Sequence, residues 1–201
     1  MIVTFDVYGT LFDWERSIKG CLELLGVNHE EFFREEFRRV SGLTQYAPYS
    51  QILKQSLKSV MGARYSDEYG DALVLCFAKS PPFPDTILGL QKLKTKGHKL
   101  GVISNTEQSL LAITLCGLQN VFDWVITAEH TRFYKPSLKA FEKAYEIMRV
   151  DPKRVLHVSS YPSYDLESAQ KLGVKTVLLN RYGGSWSHVV SRVDELVHIL
   201  D

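Results

Sequence analysis

The sequence predicts an α/β protein in which a parallel sheet carries helices on both faces and a helical segment is inserted after the first strand. A short apolar segment, residues 2–5, opens the chain and ends at an aspartate. A long region of helical spacing follows, and after Pro84 short apolar segments alternate with helical ones. This alternation is typical of a parallel sheet, because each parallel strand needs a crossover connection, usually a helix, to reach the next.

Residues 17–77 predict three or four helices. Apolar side chains recur there at helical spacing, as in Phe33, Phe37 and Val40, and charged residues lie between them. No alternating strand pattern is present in this region. It ends at the proline-rich segment 80–84, where proline fixes φ and cannot continue a helix.

The proline-rich break divides the chain into two predicted units. The core comprises residues 1–14 and 84–201, and the helical unit comprises residues 15–83. Ligands of α/β sheets bind at the carboxyl ends of the strands, and the insertion directly follows the first of these ends. We therefore expect residues 15–83 to form a cap over the site.

The part of the chain after the break predicts alternating helices and strands. The predicted strands are 99–104, 124–127, 155–158 and 175–179. The predicted helices are 86–96, 107–116, 138–149, 165–172 and 189–199. Three of these helices are followed closely by glycine, which is typical of helix ends.

Composition excludes several classes of protein. The chain has 201 residues, of which 45% are hydrophobic, and its formal net charge of +1 gives no indication of a nucleic-acid partner or a membrane surface. No apolar run approaches the roughly 18–20 residues that span a bilayer. The three cysteines are far apart, which argues against a disulfide framework or zinc site. Residues 1–12 do not resemble a signal peptide, so we expect a cytoplasmic protein.

Polar residues follow the predicted strands or lie in the loops directly after them. These are Asp6 and Thr10, Ser104 and Asn105, Lys135, and Ser159 and Ser160 with Asp165. Because parallel strands bring such ends to one edge of the sheet, we expect these side chains to share a pocket.

These segments resemble the four motifs of the haloacid dehalogenase superfamily, most closely its 2-haloacid dehalogenase branch. The first is residues 5–13, Phe-Asp-Val-Tyr-Gly-Thr-Leu-Phe-Asp; the others are Ile103-Ser104-Asn105, Tyr134-Lys135-Pro136, and Val158-Ser159-Ser160 with Asp165. All four occur in order, and the resemblance covers the whole chain. It implies a Rossmann-like core with a mobile helical cap and a small carboxylic acid as substrate. Homodimers are common in that family, so a homodimer is a further expectation.

The resemblance and the residue chemistry together give a set of expected roles. Asp6 would be the nucleophile, since carboxylates can form covalent ester intermediates, and Lys135 would keep it ionised. The predicted catalytic residues are Asp6, Thr10, Ser104, Lys135, Ser159 and Asp165. The predicted substrate-binding residues are Tyr8, Arg38, Asn105, Ser160 and Tyr161. Arg38, with Arg39 as the next choice, stands for the family's cap arginine near the leaving halide.

Tyr8 favours dehalogenation over phosphate-ester hydrolysis. Phosphatases of the superfamily carry an aspartate two residues after the nucleophile, which protonates the leaving alkoxide. A phenol, with a reference pKa of about 10, is a poor substitute, whereas halide leaves without a proton. Ser159 and Ser160 also replace the Gly-Asp pair with which phosphatases help to hold magnesium. We therefore expect no cofactor.

Two alternatives to the dehalogenase remain open. The first is a magnesium-dependent phosphatase with Asp6 and Asp165 as metal ligands. The second is a non-catalytic binding protein on the same fold. Three departures from the family pattern also predict that the residues that contact the substrate are altered. Phe141 replaces a tyrosine, Tyr161 replaces an asparagine, and one extra residue separates Ser159 from Asp165.

Overall fold

The computed structural model describes residues 1–200 and contains a six-stranded sheet in which every strand pair is parallel. The strands are β1 (Ile2–Phe5), β2 (Lys99–Ser104), β3 (Trp124–Thr127), β4 (Val155–Ser159), β5 (Lys175–Leu179) and β6 (Val189–Val190). Their order in the sheet is β3-β2-β1-β4-β5-β6. The predicted α/β class with a parallel sheet is confirmed.

Between β1 and the proline-rich segment 80–84, the described chain forms four α-helices, where the helical spacing over residues 17–77 predicts three or four. These inserted helices are α1 (Trp14–Leu24), α2 (His29–Ser41), α3 (Tyr49–Met61) and α4 (Asp67–Ala78). The later helices are α5 (Thr86–Thr95), α6 (Gln108–Thr114), α7 (Ala128–Thr131), α8 (Leu138–Met148), α9 (Glu167–Lys171) and α10 (Leu196–Leu200). The division into units 1–14 with 84–201 and 15–83 stays a prediction. Within residues 1–200, no helix has both the length and the apolar character that crossing a membrane requires.

The strand order places the first strand at the centre of the sheet. β1 pairs with β2 on one side and with β4 on the other, so the direction of winding reverses between β1 and β4. Ligands of such sheets bind outside the carboxyl ends of the strands at this reversal. Asp6 lies directly after β1, and its backbone N–H donates to the Val158 carbonyl at 3.0 Å. The reversal therefore fixes where the Asp6 side chain stands.

The inserted helices share a hydrophobic core with the sheet. Ile18, Leu22, Phe32 and Leu53 are fully buried in the same cluster as Val3 of β1. Asn28 is the N-cap of α2, and its side chain accepts a hydrogen bond from the Glu31 backbone N–H at 3.0 Å. This cap satisfies a free N–H of the first turn, and the buried apolar residues then fix which face of α2 points inward.

The prediction of a single helix over residues 189–199 is wrong. Val189 and Val190 form β6 instead: Leu178 N–H donates to the His188 carbonyl at 2.9 Å, and Asn180 N–H donates to the Val190 carbonyl at 2.8 Å. A short 3₁₀ turn and α10 complete the segment. The adjacent β-branched residues suit an extended strand, and β5 offers the free edge with which they pair.

A buried ion pair links the start of α5 to the segment after β5. Arg181 donates through Nη1 to Asp85 Oδ1 at 2.8 Å and through Nη2 to Oδ2 at 3.0 Å, and their side chains are 9% and 5% exposed. Arg181 Nε also donates to the Thr10 carbonyl, at 3.1 Å. Burial alone would raise the pKa of Asp85, but Arg181 and the Val193 N–H bring it below its ordinary value. The pair thus connects the loop after β1 to the far end of the chain.

Replacing Asp85 should destabilise the fold strongly. The variant Asp85→Ala leaves the Arg181 guanidinium buried without its partner, which costs about 3 kcal/mol in the free energy of unfolding. Urea denaturation followed by circular dichroism measures this loss. Glu146→Ala, which breaks the exposed Lys143–Glu146 pair, is the matched control and should leave the midpoint nearly unchanged. Equal losses in the two variants would show that the Asp85–Arg181 pair has no special role.

Candidate active site

The Asp6 carboxylate is held in one orientation by two charged or polar neighbours. Thr10 Oγ1 donates to Oδ2 at 2.7 Å, and Lys135 Nζ donates to Oδ1 at 2.7 Å. Asp6 is 6% exposed. A carboxylate that accepts a hydrogen bond on each oxygen in this way cannot rotate freely, so both of its oxygens are held in fixed positions.

The turn after β1 brings Thr10 back onto Asp6. Gly9 has φ +84°, and a Cβ at this position would overlap the Tyr161 ring. Glycine therefore serves both the turn and the close approach of Tyr161. Thr10 N–H donates to the Val7 carbonyl at 3.2 Å, and Thr10 Oγ1 accepts from Ser160 N–H at 3.0 Å.

The Lys135 ammonium bridges three neighbouring strands. Its Nζ donates to Asp6 Oδ1 at 2.7 Å, to Asp165 Oδ2 at 2.9 Å and to the Ile103 carbonyl at 2.9 Å. Lys135 is 3% exposed. Because an ammonium has three N–H donors, these contacts use all of them.

Burial and charge oppose each other in this cluster. Burial raises the pKa of Asp6 above its ordinary value, although Lys135 lowers it in part. Burial alone would lower the pKa of Lys135, but Asp165 and Asp6 bring it above its ordinary value. For Asp165, burial is overcome by Lys135 and His157, and its pKa falls below the ordinary value. The Lys135 ammonium thus opposes the effect of burial on both carboxyl groups that it bonds.

Ser104 ends β2 and Asn105 follows it, but the two side chains have different surroundings. The Asn105 side chain donates to the Lys135 carbonyl at 2.9 Å and accepts from Lys135 N–H at 2.7 Å, which fixes the lysine backbone. Ser104 is 2% exposed, and its Oγ has no hydrogen-bond partner within residues 1–200. A buried hydroxyl without a partner is an available hydrogen-bond donor.

The two serines at the end of β4, Ser159 and Ser160, point their hydroxyl groups into the protein. Ser159 Oγ accepts from Tyr161 N–H at 3.1 Å, and Ser160 Oγ donates to the Leu179 carbonyl at 2.6 Å. The chain then forms a π-helical turn over Pro162–Leu166. Such a turn takes up one additional residue, and it delivers Asp165 to Lys135 despite the longer loop.

His157 of β4 lies next to Asp165. Its Nε2 lies 3.5 Å from Asp165 Oδ2, and its Nδ1 is hydrogen-bonded to Thr4 Oγ1 at 2.9 Å. The rings of Phe141 and His157 pack in a T-shaped contact, with centroids 5.2 Å apart. The other oxygen of Asp165, Oδ1, is buried without a hydrogen-bond partner in the described chain. Sequence reasoning missed His157, because an apolar strand gives no sign of a buried polar contact.

A cavity of about 330 Å³ opens over Asp6 between the sheet edge and the inserted helices. It is lined by Asp6, Tyr8, Trp14, Glu15, Phe33, Glu36, Phe37, Val40, Tyr49, Phe77, Asn105, Lys135, Tyr161, Tyr164 and Asp165. Of the predicted site residues, the structure brings these six to it: Asp6, Tyr8, Asn105, Lys135, Tyr161 and Asp165. The predicted residues outside this lining are Thr10, Ser104, Ser159, Ser160 and Arg38.

The structure does not bring Arg38 into the cavity. The Arg38 side chain is 69% exposed and makes two hydrogen bonds of 2.8 Å to Glu35. Arg39, the next choice, bonds Glu35 and Ser59, both at its Nη atoms. The lining face of α2 instead carries Phe33, Glu36, Phe37 and Val40. These positions are three or four residues apart and share one helix face, from which Arg38 points away.

Tyr8 presents its ring to the cavity and turns its hydroxyl away from Asp6. The hydroxyl lies 2.6 Å from Thr114 Oγ1, and Thr114 itself donates to the Ala78 carbonyl at 2.8 Å, so Tyr8 is the donor between them. Its ring stacks on Phe77, with centroids 4.0 Å apart. Burial raises the pKa of Tyr8 well above the ordinary phenol value.

Glu36 is the lining residue whose chemistry sequence reasoning missed. Its Oε1 accepts a hydrogen bond from Tyr49 OH at 2.9 Å, and burial raises its pKa to about 7. The signal was present in the spacing, because Glu36 lies on the same helix face as the apolar residues Phe33, Phe37 and Val40.

The acidic residues at the site do not form a metal-binding cluster. Within residues 1–200, no group of three or more His, Cys, Asp or Glu side chains is arranged to hold a metal ion. Asp6 and Asp165 each give an oxygen to Lys135, so the lysine ammonium stands between them.

Comparisons with known proteins agree with this geometry. (S)-2-haloacid dehalogenase 4A of Burkholderia cepacia is 29% identical, over 98% of this chain and 93% of its own. Haloacetate dehalogenase H-2 of Moraxella sp. (strain B) is 26% identical, over 99% of this chain and 94% of its own. Phosphoglycolate phosphatase of Aquifex aeolicus (strain VF5) is also 26% identical, over 100% of this chain and 96% of its own.

A solved structure shows the same fold. L-2-haloacid dehalogenase from Xanthobacter autotrophicus, solved with chloropropionic acid covalently bound, superposes with a TM-score of 0.81 at 21% identity and covers 100% of this chain and 98% of its own. The family model described as haloacid dehalogenase-like hydrolase matches residues 3–179. With the strand order, the Asp6–Lys135–Asp165 cluster and this match over most of its length, the chain belongs to the haloacid dehalogenase-like hydrolases.

Proposed function

We propose that this hydrolase is a 2-haloacid dehalogenase that releases halide and a 2-hydroxy acid through an ester on Asp6. The observation that carries the proposal is the Asp6 carboxylate, fixed by Thr10 and Lys135 at the floor of a largely aromatic cavity. The similarity to (S)-2-haloacid dehalogenase 4A along nearly the whole chain supports it.

In the first step, a carboxylate oxygen of Asp6 attacks the halogen-bearing carbon from the side opposite the halogen. The carbon–halogen bond breaks, halide leaves with the bonding electrons, and an ester forms. Lys135 holds Asp6 in place and favours its ionised form. The aromatic walls keep bulk water from competing with the carboxylate in this step.

In the second step, water attacks the carbonyl carbon of the Asp6 ester. Asp165 is the group suited to hold that water, because its Oδ1 has no hydrogen-bond partner within the described residues and its low pKa keeps it ionised. The Asp6 oxygen on which negative charge develops has a donor in place, from Lys135 at Oδ1 or from Thr10 at Oδ2, each at 2.7 Å. The bond between the Asp6 carbonyl carbon and the substrate oxygen breaks, one proton of the water passes to that oxygen and the other to solvent, and the products are the hydroxy acid and the free Asp6 carboxylate.

The phosphatase alternative lacks an acid at the position where the family has one. Tyr8 already donates its proton to Thr114, and its pKa is raised further by burial. Ser159 and Ser160 supply no carboxylate for magnesium. We therefore propose a reaction without a cofactor. The cytoplasmic location and the homodimer stay predictions.

Halide release should depend on Asp6 and not on a metal. With L- and D-2-chloropropionate and excess chelator, the wild-type protein should release chloride from one enantiomer, and Asp6→Asn should abolish the release because its amide is a poor nucleophile. Ion chromatography measures the chloride. Magnesium-dependent hydrolysis of phosphate esters, without chloride release, would instead establish the phosphatase. Inactivity towards both substrate panels would favour the binding protein.

The Tyr8 hydroxyl should be dispensable for chemistry. Tyr8→Phe keeps the ring against Phe77 and removes only the hydrogen bond to Thr114, so stability should fall by about 1 kcal/mol. The kcat for chloride release should stay within about threefold of wild type, since halide needs no proton. Steady-state kinetics and urea denaturation measure the two effects. A loss of kcat greater than a hundredfold would identify Tyr8 as an acid and contradict the assignment.

Removing the Lys135 charge should slow the reaction and shift its pH profile. Because Lys135 lowers an Asp6 pKa that burial raises, Lys135→Met should raise that pKa further. Asp6 must be ionised to attack, so the acidic limb of kcat/KM should move to higher pH, with a loss of about 10²–10³-fold on the plateau. The exposed Lys139→Met is the control. An unshifted limb would show that Lys135 does not set the charge of Asp6.

A further inference from the structure

The cavity over Asp6 is larger than a three-carbon haloacid needs. Its volume is about 330 Å³, and pockets that enclose drug-sized ligands begin at about 300 Å³. In 2-chloropropionate the reacting carbon carries only a methyl group besides its carboxylate and its halogen, so this acid occupies a minor part of the cavity. The remaining space admits a longer substituent on the same carbon.

One wall of the cavity is a chain of ring contacts that starts beside Asp6. Tyr8, two positions after Asp6, stacks on Phe77 of α4, with centroids 4.0 Å apart. Trp14 of α1 makes a T-shaped contact with Phe77 at 6.0 Å and another with Phe33 of α2 at 5.3 Å. Since all four rings line the cavity, they form an apolar surface that runs from the nucleophile to α2.

A second wall starts at Tyr161 and also ends on α2. The Tyr161 ring lies against the turn that follows Asp6, since a Cβ at Gly9 would overlap it. Tyr161 contacts Tyr164 with centroids 6.5 Å apart, and Tyr164 contacts Phe37 of α2 with centroids 5.9 Å apart. Both walls therefore connect the surroundings of the nucleophile to the same helix.

The inserted helices make the far side of the cavity mainly apolar. Phe33 and Phe37 are four positions apart and share one face of α2. Among the described lining residues that α1–α4 supply, Glu15 and Glu36 carry carboxyl groups, and the others are aromatic except Val40. The cavity is thus polar at the sheet edge and mainly apolar where the inserted helices cover it.

We propose that the substrates of this site are 2-haloalkanoic acids whose second carbon carries an extended apolar chain, with Phe37 of α2 as a specificity-determining residue. This rests on the proposed attack of Asp6 on the halogen-bearing carbon. A chain on that carbon extends into the cavity that opens over Asp6, between the two aromatic walls. Each methylene group that is removed from water there contributes to binding.

The test measures kcat/KM for chloride release from 2-chloropropionate, 2-chlorobutanoate and 2-chlorohexanoate, each as the reactive enantiomer. Burial of one methylene group is worth up to about fourfold in binding, so 2-chlorohexanoate should exceed 2-chloropropionate by about tenfold or more. Because the chain does not react, the gain should lie in KM, and kcat should change by less than about threefold. Values of kcat/KM that stay equal or fall with chain length overturn the proposal while the dehalogenase stands.

The variant Phe37→Ala tests the wall directly. Phe37 is 52% exposed, so its truncation leaves no buried void. The variant should lose about fivefold or more in kcat/KM for 2-chlorohexanoate and less than about twofold for 2-chloropropionate, because only the longer chain reaches α2. The control Leu75→Ala truncates a 47% exposed side chain of α4 outside the lining and should leave both values unchanged. An equal loss on both substrates in Phe37→Ala overturns the assignment of Phe37.

A binding measurement separates this proposal from the chemistry of Asp6. If none of the acids releases chloride, the proposed dehalogenase function fails, and calorimetry with lactate and 2-hydroxyhexanoate, the corresponding hydroxy acids, still tests the walls. Tighter binding of 2-hydroxyhexanoate that Phe37→Ala weakens supports the selection of an apolar chain. Equal affinities, or tighter binding of lactate, overturn it.

Discussion

The site depends on the ammonium of Lys135. Asp6 and Asp165 follow different strands, and two buried carboxylates brought together without a cation would repel each other and lose their hydration. Lys135 bonds both and also bonds the Ile103 carbonyl of β2. One side chain therefore joins β2, β1 and the segment after β4, and Asn105 holds its backbone at both N–H and C=O. The same contacts that make the cluster stable leave Lys135 without a donor for the substrate.

The charged cluster could be predicted from the sequence because it follows from topology. Asp6, Lys135 and Asp165 come after strands or in the loops that continue them, and a parallel sheet brings these positions together whatever the details of packing. β6 could not be predicted in the same way. Its two valines are too short a segment for periodicity to distinguish a strand from a helix, and pairing with the edge of β5 decides between them.

The residues of α2 show why the lining of the cavity was harder to predict. A helix turns by about 100° per residue, so residues two positions apart point to nearly opposite sides of the helix. An error of two positions therefore assigns to the site a side chain that points away from it. Glu36 and Arg38 lie two positions apart, and their charges are opposite. The buried packing of Phe32 and Val40 fixes the rotation of α2, and Glu36 then faces the cavity while Arg38 reaches solvent. That rotation is a property of tertiary packing.

Reactivity and selectivity thus come from different parts of this chain. The sheet edge supplies the nucleophile Asp6 with its threonine, lysine and aspartate partners, and these four side chains form hydrogen bonds with one another. The inserted helices supply aromatic walls of the cavity, and Glu15 and Glu36 are among their lining residues. Changes on one face of α2 can therefore alter which substrate binds, while the groups that attack the carbon atom stay as they are.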